Sequence, residues 1–143
     1  MTDTKTKPID LASLDLAAAA DKGFELELLH PVTKAPLNTF ISLVGKDSAV
    51  FRDHVRRTAN DRLRKQAMGQ RRGKEVEVPT IEKIEADAIE LLAACTTGWR
   101  NLEYKGVALQ FSAVNAKVIY TDLSWIRDQV DEAIGDIENF MPS

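Results

Sequence analysis

The chain has 143 residues, 44% of them apolar and 29% charged, and a net charge of −3. That supplies one ordinary hydrophobic core, while the low glycine and proline content excludes collagen-like, low-complexity and wholly disordered classes. No apolar run approaches the roughly 18 residues of a membrane span, the opening Met1-Thr2-Asp3-Thr4-Lys5 lacks the basic-then-apolar order of a signal peptide, and the single Cys95 forms no internal disulfide, so a cytoplasmic chain is expected.

Residues 1–9 are polar and aperiodic and read as a disordered leader, leaving 10–143 as a single domain. Leu11, Leu14 and Ala18 are spaced for one helical face, with Asp10 as N-cap and Gly23 as terminator. The period then becomes two. Phe24, Leu26 and Leu28 alternate with Glu25 and Glu27, and after a loop from His30 to Pro36 a second alternating run covers Leu37, Thr39, Ile41 and Leu43. This is a β-hairpin, and its apolar face needs helices packed upon it.

Gly45-Lys46-Asp47-Ser48 marks the next change. Phe51, Val55, Ala59, Leu63 and Ala67 recur every fourth residue, and Asp53 and Asp61 each stand four before a base, Arg57 and Lys65. The pattern predicts a basic amphipathic helix that frays between Gly69 and Gly73 into the charged connection Gln70-Arg71-Arg72-Gly73-Lys74 before Pro79. Thr80 is a good N-cap for the helix that follows, in which Ile81, Ile84, Ala88, Leu91 and Cys95 mark the expected inner face and Gly98 the stop.

A very short hairpin is predicted from Leu102-Glu103-Tyr104, Lys105-Gly106 and Val107-Ala108-Leu109. Ser112 caps a brief helix through Ile119. A last helix starts near Ser124 with Trp125, Ile126, Val130, Ala133, Ile137 and Phe140 inward, weakened by Gly135 by about 1 kcal/mol relative to alanine. The expected fold is α+β and mostly helical, an N-terminal β-hairpin packed against a bundle of about four helices with a second short hairpin.

Charge is segregated along the chain: residues 1–45 carry −2, residues 46–74 carry +7 and residues 75–143 carry −8. Such a basic belt either meets an anionic partner or is matched by its own acidic neighbour. Arg56, Arg57, Arg62, Arg64, Arg71, Arg72 and Lys74 suit phosphates, yet residues 52–80 hold no aromatic side chain on which a base would stack. Glu82, Glu85, Asp87 and Glu90 on the next helix are at hand to neutralise the belt, so a solvated or self-matched face is the simpler reading.

Catalytic equipment is thin. The only imidazoles are His30 and His54, Cys95 lies on an apolar stripe where a thiol is packing, and these three scattered residues do not make a zinc site. The glycines at 69 and 73 are one residue too close for a phosphate loop, which would also need a hydroxyl where Glu75 stands. The acid pairs Glu25/Glu27 and Asp131/Glu132 fall on expected solvent faces, where nothing raises a carboxyl pKa. No cofactor, metal or catalytic residue is expected.

Several stretches carry a resemblance. They are Gly23-Phe24-Glu25-Leu26-Glu27-Leu28-Leu29-His30-Pro31, Gly45-Lys46-Asp47-Ser48, Leu91-Leu92-Ala93-Ala94-Cys95-Thr96-Thr97-Gly98-Trp99, Phe111-Ser112 with Asn115-Ala116, Trp125-Ile126-Arg127-Asp128-Gln129-Val130, and Asp136 with Asn139-Phe140. In this order, over roughly residues 23–140, the chain resembles the tail assembly chaperones of long-tailed (siphovirus-type) bacteriophages and prophages. The shared residues are turns, caps and core aromatics, so no contact residue transfers with them.

The resemblance implies a non-enzymatic protein of the bacterial host cytoplasm that binds the tape-measure protein, keeps it soluble, helps recruit tail-tube subunits, and is not retained in the mature tail. A frameshift-extended form of the chain and self-association are further expected partners. The expected contacts, inferred from the basic and final helices, are Arg56, Arg57, Arg64, Trp125, Asp128, Asp131 and Glu132. Trp99 and Trp125 read first as core anchors with an N–H to satisfy, and second as interface residues. The alternative function is a nucleic-acid-binding module using the 46–74 segment.

Overall fold

The computed structural model describes residues 8–71, 73 and 80–140. The leader, apart from Pro8 and Ile9, and the far end of the basic belt at Arg72 and Lys74 lie outside the described residues. The fold is α+β and mostly helical, with a three-stranded antiparallel sheet and a separate two-stranded hairpin.

The first helical segment is broken. Asp10 caps a 3-10 turn over Leu11–Leu14, then Asp15 accepts a hydrogen bond from Ala18 N and starts α1, Leu16–Lys22. A second capping aspartate resets the helix, so Leu11, Leu14 and Ala18 do not share the single helical face that their spacing predicts; all three are exposed and Ala20 is buried. Gly23 ends α1 at φ +78°, and a Cβ there would stand 2.4 Å from the Leu43 carbonyl oxygen, so glycine is required on both counts.

The hairpin β1 (Phe24–Leu29) and β2 (Pro36–Leu43) forms as expected, and the sheet gains a third strand, β3, Thr96–Arg100, paired antiparallel to β2. Leu26, Ile41 and Trp99 stand in one cross-strand row facing the core, and Glu27, Phe40 and Arg100 form the next row on the other face. On that outer face the Arg100 guanidinium lies 3.8 Å above the Phe40 ring and clamps both oxygens of Glu25 at 2.8 and 2.9 Å. This neighbour holds the Glu25 carboxyl below its usual range.

The second hairpin, β4 (Glu103–Tyr104) and β5 (Val107–Ala108), turns on Lys105 and Gly106, both at positive φ as a tight two-residue hairpin requires. The remaining helices are α2, Ala49–Arg71; α3, Ile81–Ala94; α4, Ala113–Asp122; and α5, Ser124–Gly135. Thr80 and Ser112 cap α3 and α4 as the sequence suggests, through Lys83 N at 3.1 Å and Asn115 N at 3.0 Å. Buried Ser48 caps α2 through Phe51 N. The last helix stops at Gly135, where Asp136 caps a 3-10 turn, and this leaves Ile137 exposed rather than inward.

The core lies between the sheet and the α3–α4–α5 layer, with Leu28, Ile41, Leu43, Leu92, Ile119, Tyr120, Val130 and Ile134 at its centre. The buried Tyr120 hydroxyl sits 2.6 Å from Thr96 Oγ1, which is itself 2.8 Å from the Leu92 carbonyl. Thr96 has one proton to give and gives it to that carbonyl, so Tyr120 donates to Thr96 and both hydroxyls are satisfied. Gln129 on α5 closes the edge of β1 by mimicking a strand residue: its Oε1 accepts from Leu29 N at 3.0 Å and its Nε2 donates to Leu29 O at 2.8 Å.

Candidate partner-binding surface

The nucleophile and imidazoles have structural occupations. Burial pushes the Cys95 thiol up to about 11, so it stays protonated near neutrality and acts as core packing. His30 organises the hairpin loop, its Nδ1 accepting from Val32 N and Thr33 N, both at 3.1 Å. Among the described residues no group of three or more His, Cys, Asp or Glu is placed to hold a metal ion. An open groove of about 450 Å³ runs between α3 and α4, but two of its carboxylates, Asp87 and Glu90, face Lys83 at 2.9 Å and Lys117 at 3.6 Å. No helix among them is long and apolar enough to cross a membrane.

The tryptophans are built into the core. Trp99 donates its Nε1–H to Leu109 O at 2.8 Å and meets Phe111 edge-on at 5.1 Å between centroids. Trp125 is half-buried and packs against the core cluster at the start of α5.

The amphipathic helix α2 forms as expected, and most of its apolar series lies at the surface. Of its apolar series only Phe51 packs against the core; Val55 is 46% exposed, Leu63 is 62% exposed, and Ala59 and Ala67 are exposed as well. Helical geometry explains this. A four-residue step overshoots a full turn by about 40°, so a series repeated every fourth residue has wound about 160° around the helix between Phe51 and Ala67. What docks is the line through Phe51, His54 and Thr58, and none of the described residues of α2 is fully buried.

The expected inner face of α3 holds at its C-terminal end, where Cys95 is buried and half-buried Leu91 packs against the core, and fails before it. Ile81 and Ile84 are 79% and 58% exposed and Ala88 is exposed, whereas Ile89, Leu92 and Ala93 are buried. The first turns of α3 run past the core and leave Ile81 and Ile84 without a partner, while from Ile89 onward the apolar run packs against α4 and α5.

The charges of α2 and α3 are not matched to each other among the described residues. Arg56 pairs with Asp53 and Arg64 with Asp61 at 3.7 Å, each within α2. The α3 acids turn elsewhere, Asp87 to Lys83, Glu90 to Lys117 and Glu85 to Arg127 at 3.2 Å. Arg52, Arg57, Arg62 and Lys65 therefore remain exposed on α2 without a described carboxylate within bonding distance.

The seven expected contact residues do not gather at one place. Arg56, Arg57 and Arg64 are exposed on α2, which packs on α1 and α3; Asp128, Asp131 and Glu132 are exposed on α5, which packs on α3, α4 and β1, with half-buried Trp125 at its start. They mark two separate surfaces of opposite charge. Val55, Ala59 and Leu63 add an exposed apolar series that the seven expected contacts do not include, and its uniform step of four is the signal that marks it in the sequence.

Comparison of the chain with models of known protein families, with curated proteins and with solved structures finds no match.

Proposed function

We propose that the chain is a tail assembly chaperone of the siphovirus type, acting in the host cytoplasm. It grips the tape-measure protein, keeps that long helical partner from aggregating, helps recruit tail-tube subunits, and leaves before the tail is complete. Its work is association, with no bond made or broken, and needs no cofactor.

The observation that carries this reading is the long helix α2, which presents exposed apolar side chains among charged ones instead of burying them. Holding an aggregation-prone helical partner calls for such a surface: apolar area for affinity, and charge for solubility and for release when a better partner polymerises. The sequence resemblance to the family, spread over roughly residues 23–140, supplies the rest of the support.

Co-expression tests it. Soluble yield of a tape-measure protein encoded beside this chain rises when the chain is present and the two co-purify; unchanged yield with no co-purification overturns the proposal. The nucleic-acid alternative rests on the bases of α2 that lack a described carboxylate partner. It predicts a mobility shift of single-stranded or duplex DNA at low ionic strength that disappears steeply with added salt.

A further inference from the structure

We infer that α2 carries a docking site for an acidic amphipathic helix of a partner polypeptide, centred on Ala59. Ala59 is a small exposed residue with Val55 and Leu63 one turn away at i−4 and i+4, and Arg56 and Arg62 at i−3 and i+3. A shallow notch thus lies between two larger apolar side chains and is bordered on both sides by a guanidinium. Arg52, three residues before Val55, adds a third positive charge at one end.

Each part of this arrangement names a part of the partner. The ridge of residues four apart, with its small member in the middle, fits a large apolar side chain projecting from a second helix, as ridges fit grooves in helix pairs. Arg62, which has no described carboxylate partner, and Arg56, exposed although it also meets Asp53 of its own helix, call for carboxylates one turn to either side of that side chain. Across the whole helix the sequence has seven bases against two acids, so a basic partner is repelled. Nucleic acid fits less well: an apolar strip runs between the guanidiniums, where phosphates would bury none of it, and the helix has no aromatic residue after Phe51 on which a base would stack.

A second copy of this chain fits less well too. On its acidic α5 the apolar residues Ile126, Val130 and Ile134 are already buried, and on α3, where Ile81 and Ile84 are exposed, the nearby acids Glu85 and Asp87 are already paired with Arg127 and Lys83. The inference deepens the client-binding function proposed above, and rests on it only in taking the partner to be a polypeptide.

The test is a titration of the full chain into a fluorescein-labelled designed helix of leucines flanked by glutamates, read by anisotropy. The expected result is saturable binding with a dissociation constant of order micromolar, weakened but not abolished by added salt. Leu63→Asp lowers affinity about tenfold or more. A double variant, Arg56→Glu with Arg62→Glu, loses the acidic helix and gains a matching helix in which lysines replace the glutamates. That exchange of preference also proves the variant folded.

Absence of binding at about 100 µM chain, equal binding of the acidic and basic helices by the unmodified chain, or tighter binding of a single-stranded oligonucleotide overturns the site. Retained affinity in Leu63→Asp overturns it as well. A tape-measure protein that stays insoluble on co-expression while the acidic helix binds as described defeats the chaperone function and leaves this site standing. Improved solubility without peptide binding does the reverse.

Discussion

Helices α2 and α5 are both amphipathic by sequence, yet α5 buries Ile126, Val130, Ala133 and Ile134 while none of the described residues of α2 is fully buried. The difference lies in the step. In α5 the inner residues follow one another at steps of four, three and one, which keeps them on one side of the cylinder; in α2 the step is always four, and the apolar line winds from the docked side toward solvent. One spacing builds a core and the other builds a surface. With Glu85, Asp87 and Glu90 paired to Arg127, Lys83 and Lys117, α3 leaves that surface positively charged.

Substitutions sharpen or break this contrast. The largest effect belongs to the packed side: Ile41 is fully buried in the middle strand, so Ile41→Ala costs about 2–5 kcal/mol in urea denaturation. Tyr120→Phe removes the hydroxyl that donates to Thr96 and costs about 1 kcal/mol, since Thr96 keeps its own bond to Leu92. On the exposed side, Leu63→Asp changes stability by no more than about 0.5 kcal/mol. A loss above about 2 kcal/mol there means that α2 is packed after all and breaks the contrast.

The smallest effect is a pH dependence on the outer face of the sheet. The Glu25 carboxyl is held below its ordinary value of 4.5 by Arg100, so the pair's contribution is complete above that value and is lost as pH falls through the lowered folded-state value. Thermal melts of Glu25→Gln and the unmodified chain therefore differ slightly near neutrality and converge in acid. A gap that widens as pH falls contradicts the pairing.

Much of the fold was legible because it is written in local signals. Asp10, Thr80 and Ser112 cap as residues of their type do, the alternation from Phe24 to Leu43 gives the hairpin, and the Lys105-Gly106 turn sets the second hairpin. β3 was not legible: Thr96-Thr97-Gly98-Trp99-Arg100 is short, contains a glycine, and reads as the stop of a helix, because pairing with β2 across some fifty residues is a tertiary fact.

The same limit applied to α3. Its spacing alternates three and four like a buried helix, but its first turns run past the core, so correct spacing does not guarantee a partner. At the candidate surface the residue types were readable and their matching was not. Whether Glu85 meets a base of α2 or Arg127 is decided by where α5 packs.

Amide hydrogen exchange of the full chain, alone and saturated with the acidic amphipathic helix, tests most directly that α2 is a surface made for a partner. Without ligand, α2 exchanges faster than α5, as sparsely packed helices do; with ligand, exchange slows across Ala49–Arg71 and not across Ser124–Gly135. Exchange in α2 as slow as in α5 beforehand, or protection centred on α5 afterwards, contradicts the account.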